Sequence, residues 1–288
     1  MIICCGEALI DMLPRQSDTG EPAFAPHAGG AVFNTAVALG RLGRSVQFFS
    51  GLSNDLFGGI LRERLAASHV DASPAALSDR PTTLAFVTLT DGHASYAFYD
   101  ENTAGRMLEP TDLPSLPDNI PAMFFGGISL VAEPCGSAYE ALLTREAPMR
   151  VTMIDPNIRP SFIKNRKRYL ARLDWMLPKT DMLKLSDEDL GWFYPERGLE
   201  DAASHLRAKH NIPLLVLTRG AEGATGFTAR GLFNVNAPKA DPFVDAVGAG
   251  DTFMAAHIAA ELAKNDPDAA LNAALQAAAL YVSGETTI

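Results

Sequence analysis

A glycine-rich segment close to the end of the chain carries the residue types best suited to chemistry. It reads DAVGAGDTF at 245–253 and leads into an alanine-rich helical pattern. Glycines at 248 and 250 let backbone N–H groups approach a ligand with no side chain in the way. The start of a helix adds unpaired N–H donors and a positive potential, and both favour phosphate groups.

Asp251 stands in the first turn of this predicted helix, where we expect the positive potential to keep its carboxylate ionised. Such a carboxylate can accept a hydroxyl proton while Gly248, Ala249 and Gly250 stabilise phosphate charge. The segment therefore indicates phosphoryl transfer to an alcohol. The same residues also fit a helix cap and a tight turn without catalysis, and these residues alone do not choose between the two readings.

A second glycine pair, Gly29-Gly30, precedes a helical pattern with Asn34 in its first turn. An amide side chain donates and accepts hydrogen bonds, as recognition of a polyhydroxy compound requires. By itself, this pattern is more typical of a loop in which Asn34 caps the helix. Asp11 follows an apolar first strand, which places its carboxylate at a strand end.

The elements that must position these residues are short apolar runs alternating with helical patterns. This alternation predicts an α/β fold, a doubly wound and mostly parallel sheet with helices on both faces. Strands are predicted at 2–5, 46–51, 122–125, 151–154, 182–185 and 214–218, and helices at 33–42, 57–68, 137–145, 166–177, 200–209, 252–264 and 269–282. The carboxyl ends of parallel strands meet at one rim, where ligands bind in such folds.

Two segments interrupt this alternation. Residues 12–28 are rich in proline, glycine and polar residues, and residues 82–101 alternate like strands around Asp91-Gly92, a strong hairpin signal. We therefore predict a single domain over 1–288 with a small β lid formed by about 12–28 and 82–108. Apolar side chains fall on both faces of the hairpin, so we expect its outer face to pair with a second copy in a homodimer.

Composition limits the possible partners and compartments. The 288 residues include 34 acidic and 24 basic side chains, a net charge of -10, which argues against a nucleic-acid partner. Three cysteines without CxxC spacing predict neither a disulfide framework nor a zinc site. No basic leader or long apolar stretch is present in the sequence, so we expect a cytoplasmic protein without membrane contact.

Two common nucleotide-binding patterns do not occur in the sequence. A dinucleotide oxidoreductase needs GxGxxG after its first strand, and a P-loop enzyme needs GxxxxGK[ST]. A non-catalytic sugar-binding module would retain Asp11 and Asn34 but would have no use for Asp251. Retained sugar binding without ATP turnover would identify such a module.

Together, the two glycine-containing segments resemble the signature motifs of the PfkB, or ribokinase-like, carbohydrate kinase family. They occur in the family's order at opposite ends of the chain, and the resemblance covers nearly all of it. The segments GEALID at 6–11, DPNIRP at 155–160 and TRGAEG at 218–223 look like the fructokinase branch in particular. The resemblance implies a ribokinase-like fold and transfer of the ATP γ-phosphate to a sugar hydroxyl, with Asp251 as the base.

The resemblance also implies roles for individual residues. It assigns Asp11, Gly30, Asn34, Tyr99 and Arg159 to the sugar, and Lys184, Ser186, Thr218, Gly220 and Gly223 to the nucleotide. For Arg159 a surface salt bridge is an equal alternative, and 218–223 also reads as a turn between strands. Relatives continue past the position of Ile288 with a turn and a strand near the adenine, so the adenine side is left open.

Cations are also implied by the resemblance. Ser186 and Asp189 take the end positions of a pattern that orders Mg²⁺ through water in many relatives, although acidic residues there, Glu188 in particular, also suit a helix cap. Asp245 matches a position that helps to bind a monovalent cation, K⁺, in some relatives. ATP and Mg²⁺ are thus the expected cofactors, with K⁺ as a further candidate.

More than one sugar is compatible with these motifs. Fructose, phosphorylated to fructose 6-phosphate, is the first choice, with 2-keto-3-deoxygluconate and ribose as alternatives. We expect Asp100 and Glu101 to lie on the lid next to the sugar. Two carboxylates there would repel the carboxylate of a keto acid and so favour a neutral sugar.

Overall fold

The computed structural model describes residues 1–90, 93–244 and 248–285. Its strands are β1 (Ile2–Cys5), β2 (Leu9–Gln16), β3 (Pro22–Gly29), β4 (Val46–Phe49), β5 (Gly51–Ser53), β6 (Val70–Asp71), β7 (Ala76–Ser78), β8 (Thr83–Thr90), β9 (His93–Tyr99), β10 (Ala122–Gly126), β11 (Val151–Asp155), β12 (Met182–Ser186), β13 (Leu214–Thr218), β14 (Ala224–Thr228) and β15 (Gly231–Val235). Its α-helices are α1 (Ala31–Arg41), α2 (Leu56–Ala67), α3 (Cys135–Glu146), α4 (Arg166–Met176), α5 (Asp187–Phe193), α6 (Leu199–His210), α7 (Ala249–Leu262) and α8 (Pro267–Val282).

Nine strands form the main sheet in the order β15-β14-β13-β12-β11-β10-β1-β4-β6. The strands from β13 to β6 are parallel, and β14 and β15 extend the sheet in antiparallel fashion. The predicted α/β fold is therefore confirmed. Its central strand β1 is buried along its whole length, which explains the uninterrupted apolar run at the start of the sequence.

Alternate residues of the parallel strands face two different hydrophobic layers. Ile2 and Cys4 pack with α1, α2 and α7, whereas Ile3 and Cys5 pack with α3, α4, α5 and α6. A smaller cluster joins α8 to the α7 side of β13 and β14. Helices therefore cover both faces of the sheet, and α7 lies beside α1 and α8.

A separate four-stranded sheet, in the order β3-β2-β8-β9, forms the lid sheet. β2 and β3 are antiparallel, β8 and β9 form the expected hairpin, and the parallel pairing of β2 with β8 joins the two hairpins. The turn predicted at Asp91-Gly92 lies outside the described residues. Because β2 begins at Leu9, the sheet starts earlier than the proline-rich composition of 12–28 suggested.

Other elements differ from the sequence prediction. The strand predicted at 46–51 ends at Phe49, and Gly51 begins a separate strand, β5, which pairs with β7 outside the main sheet. Helix α5 and the strands β14 and β15 were not predicted. Within the described residues, no helix is both long and apolar enough to cross a membrane.

Candidate active site

The glycine-rich segment forms the amino terminus of α7. Gly248 is its N-cap with φ of 86°, and a Cβ atom there would lie 2.9 Å from the Tyr281 hydroxyl, so glycine is required on both counts. A Cβ atom on Gly250 would lie 3.5 Å from Lys184 Nζ. The first turn of α7 therefore lies over the end of β12, at the carboxyl rim of the main sheet.

Asp251 in this turn is held by the second glycine-containing segment. Asn34 Nδ2, in the first turn of α1, donates a hydrogen bond of 2.9 Å to Asp251 Oδ2. The two residues are 217 positions apart in the sequence. The fold thus brings together the two motifs that the sequence singled out separately.

A cavity of about 100 Å³ opens beside Asp251 at the junction of the lid sheet and the main sheet. Its lining residues are Glu7, Leu9, Asp11, Gly30, Ala31, Asn34, Tyr96, Phe98, Ile128, Asn157, Arg159, Gly248 and Asp251. We call it the inner cavity. Four of the five residues predicted to hold the sugar line it.

The exception is Tyr99, for which the structure corrects the prediction. The lid strand β9 alternates, so Tyr96 and Phe98 face the inner cavity while Tyr99 points to the outer face. Its side chain is 63% exposed and packs edge-on against Phe86, with ring centroids 5.4 Å apart. Tyr96 and Phe98 occupy the positions we expected of Tyr99.

The expected acidic pair beside the sugar is also corrected. Asp100 is buried in an ion pair with Arg106, with Oδ2 and Nη1 3.0 Å apart, and Glu101 is exposed. Neither residue lines the inner cavity, so neither can repel a substrate carboxylate there. Among the described residues that do line it, the one basic side chain is Arg159.

A larger cavity of about 590 Å³ lies on the other side of the first turn of α7, and we call it the outer cavity. Thr218, Gly220 and Gly223 form part of its wall, as predicted for the nucleotide groove, together with Ala249 and Gly250. Its remaining walls are largely apolar and are supplied by Ala221, Ala237, Pro238, Lys239, Ala240, Phe243, Phe253, Leu275, Ala278, Ala279 and Val282. The first turn of α7 therefore borders both cavities, with Gly248 and Asp251 at the inner cavity and Ala249 and Gly250 at the outer cavity.

Lys184 does not line either cavity. Its ammonium group is buried and lies 2.9 Å from Asp155 Oδ2. Burial alone would lower the pKa of Lys184, but Asp155 and the more distant Asp189 and Asp251 hold that pKa above its usual value. Lys184 therefore remains charged and adds positive potential beneath Gly250.

Ser186 and Asp189 form the amino-terminal cap of α5. Ser186 Oγ accepts from the Asp189 backbone N–H at 3.0 Å, and Asp189 Oδ2 accepts from the Ser186 N–H at 2.9 Å. Asp189 Oδ1 accepts from the Ile158 N–H at 2.7 Å. The capping role considered for Glu188, which is exposed, is thus filled by Asp189, and its magnesium role stays a prediction.

Asp245, the candidate for a monovalent cation, lies outside the described residues. Within the residues that are described, no group of three or more histidine, cysteine, aspartate or glutamate side chains is placed to hold a metal ion. A divalent ion here would depend on ligands from a bound nucleotide.

The protonation of Asp251 differs from the sequence expectation. Burial raises its pKa to about 7, with the hydrogen bond from Asn34 opposing the rise. Burial similarly raises the pKa of Asp11 to about 6, against the charge of Arg159. The helix terminus therefore does not keep Asp251 fully ionised near neutral pH, because loss of solvation is the larger effect.

Glu7, Ile128 and Asn157 also line the inner cavity and were not assigned to the site from the sequence. Glu7 is a lone charged residue directly after an apolar run, and this pattern is the signal in the sequence that marks it. Asn157 has φ of 43°, a conformation that asparagine tolerates but that its neighbours in the sequence do not reveal.

Comparison with known proteins places this site in context. Residues 1–288 match the family model of the pfkB family carbohydrate kinases. A fructokinase from Rhizobium leguminosarum bv. trifolii is 54% identical over 259 residues, which are 90% of this chain and 79% of the relative. A probable fructokinase-3 from Arabidopsis thaliana is 32% identical over 263 residues, covering 89% and 76% of the two chains.

Solved structures of fructokinases have a fold similar to that of this chain. A fructokinase from Xylella fastidiosa with bound ATP superposes with a TM-score of 0.87 at 28% identity, covering 98% of this chain and 92% of the other. A double mutant of the Vibrio cholerae O395 fructokinase, with fructose, ADP and potassium ion bound, has a TM-score of 0.86 at 25% identity. That comparison covers 100% of this chain and 92% of the relative.

Proposed function

This chain belongs to the pfkB family of carbohydrate kinases, and we propose that it transfers the γ-phosphate of ATP to fructose, giving fructose 6-phosphate. The observation that carries the proposal is the position of Asp251 in the turn of α7 that borders both cavities, since Asp251 lines the inner cavity and the preceding residue, Gly250, lines the outer cavity. A base at this junction is within reach of a sugar on one side and of a phosphate chain on the other. The similarity to fructokinases supports fructose as the acceptor.

In the proposed reaction, the sugar hydroxyl oxygen attacks the γ-phosphorus while Asp251 accepts the hydroxyl proton, and the bond from the γ-phosphorus to the β,γ-bridging oxygen breaks to release ADP. Asn34 fixes the carboxylate by its hydrogen bond to Oδ2. Backbone N–H groups at Gly248, Ala249 and Gly250 face the developing phosphate charge at the amino terminus of α7. Lys184 lies beneath the same turn and adds positive potential without touching the phosphates.

The sugar would be held in the inner cavity by polar groups on one wall and aromatic rings on another. Asp11, Asn34 and Arg159 offer acceptors and donors for hydroxyl groups. Tyr96 and Phe98 from the lid sheet supply the apolar wall. Their rings would exclude water from the transferring phosphate, which limits hydrolysis of ATP when no sugar is bound.

We propose Mg²⁺ as the partner of ATP, bound mainly by phosphate oxygens and water. Each oxygen of Asp189 accepts one backbone N–H and keeps a further lone pair for such a water. K⁺ is proposed to bind near Asp245, by analogy with the potassium-bound relative. Because ATP and Mg²⁺ are available in the cytoplasm, we place the enzyme there.

The second candidate substrate is 2-keto-3-deoxygluconate, and one observation favours it. Arg159 lines the inner cavity, while Asp100, which we expected to exclude an acid, is neutralised by Arg106. The cavity therefore offers a cation to a substrate carboxylate. Arg159 and Asp11 are, however, close enough for the Arg159 charge to lower the pKa of Asp11, so that cation already has an anionic neighbour.

The deciding experiment compares kcat/KM for fructose, 2-keto-3-deoxygluconate and ribose with ATP and Mg²⁺. We expect the highest value for fructose, and a higher value for the keto acid would overturn the assignment. Arg159→Gln separates the two cases, because an acid substrate would lose a charge-assisted pair and its KM would rise far more than that of a neutral sugar. Asp251→Asn serves as the inactive control.

A further inference from the structure

Glu7 is a buried carboxylate that the proposed reaction does not use. It lies between β1 and β2, lines the inner cavity and is 8% exposed. Its Oε1 accepts from the Ala31 backbone N–H at 2.9 Å, and its Oε2 accepts from the Ser129 N–H at 3.4 Å. Backbone N–H groups, rather than cationic side chains, partly offset the burial that raises the pKa of Glu7.

Helix α1 depends on this carboxylate for its amino-terminal cap. Its N-cap residue, Gly30, makes no side-chain cap hydrogen bond, and its first turn contains no acidic residue. A helix leaves its first N–H groups without partners unless another group accepts from them. Glu7 does so from 24 positions earlier in the chain.

The fit around Glu7 is close on the opposite side as well. Gly127 has φ of 65°, and a methyl group at this position would overlap both carboxylate oxygens. Glu7 thus links three segments that line the inner cavity, namely the β1–β2 connection, the start of α1 and the turn after β10. Moving its carboxylate would shift the first turn of α1 relative to the other two.

That first turn carries Asn34, which donates to Asp251. We propose that Glu7 is a positioning residue, which fixes the start of α1 so that Asn34 holds Asp251 in the orientation for accepting the sugar proton. The inference rests on the proposed function for its consequence in catalysis. The structural link from Glu7 through Asn34 to Asp251 can be tested without turnover.

Two effects of Glu7 on Asp251 have opposite signs, which makes the test decisive. Besides burial, the pKa of Asp251 depends on four neighbouring side chains, those of Asn34, Asp155, Lys184 and Glu7. The negative charge of Glu7 raises the pKa of Asp251, whereas the hydrogen bond from Asn34 lowers that pKa. Loss of positioning therefore raises the pKa of Asp251, and loss of charge alone lowers it.

The experiment is a ¹³C NMR titration of the Asp251 carboxyl group in the wild type and in Glu7→Gln. We expect the pKa of Asp251 to rise by less than about one pH unit, because the lost Asn34 hydrogen bond, which affects this pKa more than the Glu7 charge does, is partly offset by the loss of that charge. In an Asn34→Ala background the same substitution should give no rise. An unchanged or lowered pKa in Glu7→Gln, or a rise that persists without Asn34, would overturn the proposal.

A second variant displaces the carboxylate and keeps its charge. Gly127→Ala should press on Glu7 and raise the pKa of Asp251, and the kcat for fructose should fall by tenfold or more. Gly43→Ala is the matched control, because Gly43 has φ of 73° with nothing within 4 Å of a new Cβ atom. Equal effects of the two glycine variants would point to backbone strain and against positioning.

Failure of the inference and failure of the proposed function remain distinguishable. A wild type that does not phosphorylate fructose contradicts the proposed function, whatever the titration shows. Glu146→Gln removes another buried glutamate, bonded to Arg145 and Arg150 at the far end of α3, and controls for general destabilisation. Its melting temperature should fall without any change in the pKa of Asp251.

Discussion

Asp251 combines a place at the amino terminus of α7 with a carboxyl group whose pKa burial raises to about 7. A general base is most effective when its pKa lies close to the pH at which it works. Asp155 raises this pKa further, while Asn34 and Lys184 oppose the rise. The balance of these groups lets Asp251 accept a proton near neutral pH and release it again afterwards.

The pH dependence of activity should report this balance. Asp251 must be ionised to accept the sugar proton, so kcat/KM for fructose should fall about tenfold per pH unit below about pH 7. Asn34→Ala removes the hydrogen bond that favours the ionised form, and the acidic limb of the profile should move to higher pH. A profile that is flat between pH 5 and 8 would exclude Asp251 as the base.

Asp251→Asn separates the catalytic role from the structural one. The kcat should fall by roughly 10²–10⁴-fold, the usual contribution of a general base. Fructose binding should largely survive, because the amide is nearly isosteric. A variant with near wild-type kcat would leave only the helix-capping interpretation.

The same variant should show the cost of keeping Asp251 buried. In the wild type, the folded-state pKa of Asp251 lies above the unfolded value of 3.8. The folded protein therefore binds the proton more tightly and loses stability as pH rises from about 4 to about 7. Asparagine does not ionise, so the variant does not lose this stability as the pH rises. The melting temperature of Asp251→Asn should therefore exceed that of the wild type at pH 8, and the difference should shrink towards pH 5.

At the residue scale, the sequence motifs predicted which residues contact each other in the site, but they did not predict the orientation of a side chain or its pKa. Asn34 and Asp251 carry recognisable local patterns, and the fold brings them together. Tyr99 was misassigned because its face depends on strand register, which a single residue does not reveal. The pKa of Asp251 was not predictable, because it depends on burial by residues remote in sequence.

At the scale of elements, the end of lid strand β9 is tied to the main body. Asp100 follows β9 directly, and its carboxylate pairs with Arg106 Nη1. Arg106 Nε also donates to the Glu133 backbone carbonyl at 3.3 Å, next to the start of α3. Because Tyr96 and Phe98 line the inner cavity from the same strand, this connection helps to set the position of its aromatic wall.

Arg106→Gln should therefore loosen β9. It leaves Asp100 with a nearly buried, unpaired charge, and the free energy of unfolding should fall by about 1–3 kcal/mol. The KM for fructose should rise, since Phe98 would no longer be held against the sugar. Urea denaturation and steady-state kinetics measure the two effects.

The control for this change is Arg197→Gln, which breaks the exposed pair with Asp201. Exposed ion pairs contribute little, so its unfolding free energy should change by less than about 0.5 kcal/mol. A similar small effect for Arg106→Gln, with unchanged KM, would show that the lid strand is positioned by its own sheet pairing.

Element prediction succeeded where burial or periodicity was strong. The buried strand β1 matches its predicted bounds, and helices such as α4 differ by one residue. Helix α5 was missed because its seven residues are too few for a clear period, and its capping box was read as a candidate ion site. β14 and β15 were missed because the two residues that connect them, Ala229 and Arg230, carry no Asn-Gly or Asp-Gly hairpin signal.

At the scale of the whole molecule, one face of the lid sheet lines the inner cavity and the opposite face is partly exposed. The inner face places Asp11 and Phe98 at the inner cavity. Near its base, the outer face packs Met12 and Leu84 into the cluster beneath α2. Farther out, Phe24, Phe86 and Tyr99 form a continuous row of rings, with centroids 5.0 and 5.4 Å apart.

This aromatic row carries the expectation of a homodimer joined through the lid sheets. Phe24 is 43% exposed and Tyr99 is 63% exposed, and β3 and β9 are the edge strands of the lid sheet. A second lid sheet would cover these rings and shield the exposed edges. We therefore expect sedimentation velocity at micromolar concentration to give a dimer for the wild type.

The double variant Phe24→Glu/Tyr99→Glu should sediment as a monomer, because burying two carboxylates in the interface is costly. Trp175→Glu is the matched control, an exposed aromatic of α4 that is 53% accessible and remote from the lid, and it should stay dimeric. A fully active wild-type monomer would show that the outer face of the lid needs no partner.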